Sequence, residues 1–88
     1  MENRRVHVRT PMKVPLCIEH PQHGRLQVIT RDISDGGVFV LLDEPRGLMQ
    51  PGELVCGQVQ GLPGEAPLVH MRVLRCESGG VALVFVGD

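Results

Sequence analysis

With 88 residues, 42% of them hydrophobic but only 2% aromatic, the chain has material for one domain with one modest core. A formal charge of −1 argues against duplex DNA or an anionic membrane as a partner for the surface as a whole, because such binding relies on many neutralised phosphates. No apolar run approaches the ~20 residues that span a bilayer, and the polar, arginine-bearing N-terminus does not look like a secretory leader; a cytoplasmic address without membrane insertion is expected.

Residues 1–11 differ in kind from the rest of the chain. The stretch NRRVHVRTP, Asn3 to Pro11, holds Arg4, Arg5 and Arg9 in a protein that has a single lysine. It is polar and ends in Thr-Pro, where the proline biases the residue before it toward extended backbone. It reads as a flexible, extended arm ahead of a domain at residues 12–88. Solvated basic tails are common, so alone the arm says little.

Behind the arm, eleven glycines and seven prolines interrupt the chain too often for ordinary helices. Between them lie six short runs rich in valine, leucine and isoleucine, read as strands at Met12–His20, Arg25–Asp32, Val38–Asp43, Leu54–Gln60, Leu68–Cys76 and Val81–Val86. Strict alternation puts Leu26, Val28 and Thr30 on one face of the second run and Arg25, Gln27, Ile29 and Arg31 on the other. In the fifth it sets Val69, Met71 and Val73 against His70, Arg72 and Leu74. The third run is apolar on both faces, as a strand under a loop or a partner is. The expected fold is all-β, a small antiparallel β-barrel of six strands, because closure hides edges that so valine-rich a chain cannot safely expose.

The segment RDISDGG, Arg31 to Gly37, brings a carboxylate, a hydroxyl and a glycine pair together. Asp32 and Ser34 lie two apart and point the same way in extended chain. Gly36 and Gly37 permit positive φ or close approach of a ligand. An ordinary hairpin turn uses the same residues. Neither this segment nor the arm is specific by itself. In order, and with this separation, they resemble the signature of the PilZ domain: RxxxR, here Arg5 and Arg9 in RVHVR, then (D/N)xSxxG, here Asp32, Ser34 and Gly37 in DISDGG. The closing GGVALVF, with Gly80 and Phe85, is similar to a recurrent ending of that family.

The resemblance implies a bacterial receptor for cyclic di-GMP, and the chemistry suits these residue types. Guanine shows N7 and O6 acceptors that an arginine fork engages at two points, and N1–H and N2–H donors that a carboxylate accepts. Phosphates pair with arginine through charge-assisted hydrogen bonds. By resemblance, Arg5 and Arg9 clamp guanine edges and phosphate, Asp32 reads the guanine amino side, Ser34 adds a hydroxyl contact, and Gly37 keeps the strand surface clear for the base; Gly36 beside it is counted with the ligand-binding residues. Arg4, just ahead of RxxxR, implies a mutually intercalated pair of ligands on each chain. Many family members continue into a C-terminal helix; this sequence stops at VFVGD, so little or no helix is expected there.

Other residues attract blander readings. Cys17, Cys56 and Cys76 lack CxxC spacing and read as buried free thiols. His20 and His23 read as a solvated hairpin tip and not a metal site. Asp43 and Glu44 precede PRG with no apolar pocket to raise a pKa, so acid–base catalysis is not expected. There is no GxxxxGK phosphate loop. Phe39 and Phe85 read as core, which disfavours a single-strand-binding barrel, as the near-neutral charge does. The reading is a signalling adaptor, without catalysis, cofactor or metal, that binds cyclic di-GMP and passes the signal to a protein effector. The alternative is a PilZ-fold interaction module that acts irrespective of nucleotide.

Overall fold

The structure, a computed structural model, describes residues 8–44 and 47–87. Seven antiparallel strands form one sheet: β1 (Thr10–Pro11), β2 (Pro15–His20), β3 (Gly24–Ile33), β4 (Gly37–Leu41), β5 (Leu54–Val59), β6 (Val69–Glu77) and β7 (Gly80–Phe85). Six close into a barrel in the order β3-β2-β5-β6-β7-β4, with β4 returning to β3. No α-helix occurs among the described residues. Closure depends on two long, staggered strands. The ten-residue β3 pairs with β2 through Gly24–Ile29 and with β4 through Ile29–Ile33. Opposite it, β6 pairs with β5 through Val69–Arg72 and with β7 through Met71–Glu77. Such stagger lets a six-stranded sheet tilt and meet its own edge.

The core obeys the alternation of the strands. Leu16, Ile18, Val28, Val38, Val40, Val55, Met71, Val73, Val81 and Leu83 point inward and pack together. The expected strand at Met12–His20 begins only at Pro15, and residues 12–14 separate it from the short β1. Pro11 and Pro15 have no N–H to give a ladder. The buried Thr30 hydroxyl accepts from Val14 N–H at 2.9 Å and donates to the Met12 carbonyl at 2.5 Å across the gap. The end of the arm, Thr10 and Pro11, thus lies along β3 opposite Ile33 and Asp32.

The two barrel ends differ. Residues 47–53, ahead of β5, cover one end: Met49 enters the core, Val73 N–H donates to the Glu53 carbonyl, and Gly52 N–H donates to the Val73 carbonyl. His20, expected to be solvated, is 4% exposed there. Its Nε2 donates to Glu53 Oε1 at 2.9 Å, while Nδ1 accepts the N–H groups of Gln22 and His23 at 3.0 and 3.2 Å. The chain buries this ring because each of its nitrogens has a partner. At the other end Val14, Ile33, Val59, Val69 and Phe85 surround an apolar recess of about 140 Å³.

Candidate functional site

Strict alternation would place Asp32 on the inner face of β3, level with Thr30. A β-bulge prevents this. Thr30 pairs with Val40 and Asp32 with Phe39, so Arg31 is an extra residue on β3. The added residue turns both Arg31 and Asp32 outward. Thr30 stays buried before the bulge, and Ile33 packs against the core after it. A second bulge does the same on β6. Val73 pairs with Leu83 and Arg75 with Ala82, which leaves Leu74 extra. Val73 and Cys76 point to the core, while Leu74 and Arg75 are exposed.

Between the bulges lies a groove of about 280 Å³ on the outer wall of β3, β4, β7 and β6. Arg9, Arg31 and Arg75 stand around it, Phe39 and Ala82 form part of its apolar floor, and Ser34, Gly36 and Gly37 make one end. Phe39, read from the sequence as core, is 3% exposed but faces this wall. The Arg31 guanidinium covers it, with its carbon 3.8 Å from the ring centroid.

Asp32 is the hub. Arg9 Nε donates to its Oδ1 at 2.6 Å, and Arg31 Nε donates to its Oδ2 at 2.6 Å. Burial pushes this carboxyl pKa up, but the hydrogen bonds from Arg31 and Arg9, with their charges, outweigh burial and leave it below the ordinary 3.8. Arg9 also points Nη1 at Ser34 Oγ, 3.4 Å away. The Ser34 hydroxyl accepts from the N–H groups of Gly36 and Gly37, both at 3.2 Å, and its backbone N–H donates to the Gly37 carbonyl at 2.9 Å. A side chain and a backbone group thus close the DISDGG loop into one rigid turn. Phe85 N–H fastens the turn to β7 through the Gly36 carbonyl at 2.9 Å.

Of the residues singled out from the sequence, Arg9, Asp32, Ser34, Gly36 and Gly37 come together here. Arg4 and Arg5 lie outside the described residues. Gly37 does not use the positive φ that glycine permits. Gly37 is needed for another reason: a Cβ there would overlap the Leu83 carbonyl oxygen of β7. Gly80 is needed beneath Phe39, whose ring a Cβ would strike. Sequence reasoning misses Leu74, Arg75 and the outward placement of Phe39, since nothing local in the sequence marks a bulge. Among the described residues no cluster of histidine, cysteine, aspartate or glutamate suits a metal ion.

The PilZ domain family model matches residues 3–88. No curated protein matches the chain. Solved structures share the fold, and two of them illustrate it. The PilZ domain of CeSA from a cellulose-synthesizing bacterium superposes with a TM-score of 0.76 at 22% identity, over 92% of this chain and 82% of that one. The Bacillus subtilis inhibitor of motility, MotI/DgrA, gives a TM-score of 0.72 at 22% identity, over 98% of this chain and 44% of that one. With the matched residues covering nearly the whole barrel and the Asp32–Ser34–Gly37 turn, the chain belongs to the PilZ domain family, a family of cyclic di-GMP receptors and adaptor modules.

Proposed function

We propose that this chain is a cytoplasmic cyclic di-GMP receptor without catalytic activity, which binds the nucleotide in the groove and closes the arm of residues 1–11 over it. One observation carries the reading: Arg9, remote in sequence from DISDGG, lies against Asp32 and Ser34 at the end of an arginine-rimmed groove. Asp32 holds Arg9 with its fork at the rim, where guanine O6 and N7 or a phosphate can meet it. Each Asp32 oxygen already holds one N–H but keeps a second lone pair for a guanine donor. Arg4 and Arg5 extend the clamp, and the added guanidinium of Arg4 favours an intercalated ligand pair on each chain. Ordering an arm costs roughly 1–2 kcal/mol per residue, so an affinity around micromolar is expected. The change in surface when the arm closes is the signal to a protein effector.

The test is isothermal titration with cyclic di-GMP, with GTP and an Arg5→Ala, Arg9→Ala variant as controls. Saturable binding at two ligands per chain, lost in the variant, supports the reading; one ligand per chain removes the role given to Arg4. A second reading, an interaction module indifferent to nucleotide, draws on the apolar recess and the exposed Leu68, Val69 and Phe85 at the barrel end. Titration without heat and without a rise in melting temperature favours it.

A further inference from the structure

We propose that Arg31 is the base-stacking residue of this groove: a guanine of the ligand lies on the face of its guanidinium opposite Phe39, making a three-layer stack of ring, guanidinium and base. The inference rests on the cyclic di-GMP reading. The bulge lifts Arg31 out of the ladder and onto the outer wall. Phe39 supports the guanidinium from below at 3.8 Å. The Asp32 bond to Nε fixes its rotation in the plane. Phe39 is itself held, since it is buried and sits over Gly80, which has no side chain to lift the ring. A guanidinium pinned at one face and one edge has little rotamer freedom left to lose when a base arrives. Its other face is open: the side chain remains 52% exposed and lines the groove. Planar, weakly hydrated arginine stacks well on nucleobases, whereas the compact ammonium of lysine does not.

This separates two jobs in the site. Arg9 meets edges and phosphates with its fork, and Arg31 offers a plane. Charge alone at position 31 is then insufficient, and the ring beneath it matters although no ligand touches it. Phe39 is a positioning residue in this scheme.

The experiment is titration of the full chain with cyclic di-GMP for the wild type, Arg31→Ala, Arg31→Lys, Phe39→Leu and the Arg31→Ala, Phe39→Leu pair, each variant first checked for a cooperative melt. Expected is a roughly tenfold loss for Arg31→Ala, a similar loss for Arg31→Lys, and about threefold for Phe39→Leu. The double variant should bind no more weakly than Arg31→Ala, because the ring acts only through the guanidinium. Binding by Arg31→Ala or by Arg31→Lys within twofold of wild type overturns the inference and leaves the receptor reading standing. Should Phe39→Leu fail to fold, the arginine-to-lysine comparison decides the matter. A wild-type chain that does not bind overturns the receptor reading and this inference together.

Discussion

Two buried polar groups organise the two sides of this barrel, and they are finished to different degrees. His20 spends both ring nitrogens inside the protein, on Glu53 and on the N–H groups of Gln22 and His23. Asp32 likewise has a partner on each oxygen, but those partners are arginines that stay 39% and 52% exposed and rim a groove. The His20 cluster joins the β2–β3 hairpin to the start of β5 and uses both ring nitrogens to do so. The Asp32 cluster holds charged, planar groups at a surface without using all their donors. Similar chemistry makes a rivet in one place and an arginine-rimmed groove in the other, and the distinction lies in what the partners have left over.

The largest expected effect comes from a change that makes stability and binding inseparable. Gly37→Val puts a branched side chain against the Leu83 carbonyl oxygen and forces β4 away from β7. The loss should be about 3 kcal/mol, read as a lower urea midpoint, and cyclic di-GMP binding should disappear with the Ser34 turn. A variant that melts like wild type would mean that the β4–β7 approach is looser than described.

Next in size is the variant that should separate the two clusters. His20→Ala removes a buried, fully bonded ring and leaves the Gln22 and His23 N–H groups in want of an acceptor. About 2 kcal/mol of stability should go. Ligand affinity at temperatures where the variant is folded should stay within twofold of wild type, because the ring lies at the barrel end remote from the Ser34 turn. A matching loss of affinity would couple the two sides and undo the contrast.

How much of the molecule is legible in its sequence can be judged from particular residues. Val38 and Val40, or Val81 and Leu83, alternate as core-facing strand residues should, and every expected strand has its counterpart in the barrel. The break between β1 and β2 is half visible, in Pro11 and Pro15; the Thr30 hydroxyl that bridges it comes from another strand. The bulges at Arg31 and Leu74 are not readable, because a bulge is a property of how two strands register and both runs look regular alone. That single extra residue decides whether Asp32 faces core or groove. His20 misleads for the same kind of reason: its burial depends on Glu53, far along the chain. The meeting of Arg9 with Asp32 is expected only through the resemblance to PilZ motifs, since spacing alone does not bring an arm to a turn.

The smallest effect tests the electrostatics of both clusters at once. The Asp32 pKa lies below its ordinary 3.8, held down by Arg31 and Arg9 against the upward push of burial. That of Glu53 lies below its ordinary 4.5, held down first by the His20 bond and then by the Gln50 N–H. A carboxyl with a depressed folded pKa adds stability that is fully present above its unfolded pKa and is lost as pH falls through the folded value. The melting temperature should therefore stay level from about pH 7 to about pH 5 as far as these two groups are concerned, and fall below that. The amount is modest, because Arg9 and Arg31 keep one side in water and salt screens exposed charge. Asp32→Asn should flatten part of the acid fall and Glu53→Gln another part, and the two should add, since they share no partner. An acid limb left unchanged by Asp32→Asn would mean that the arginines do not hold that carboxylate in solution, and the groove would then lose the charge pairing that keeps Arg9 and Arg31 in place for a ligand.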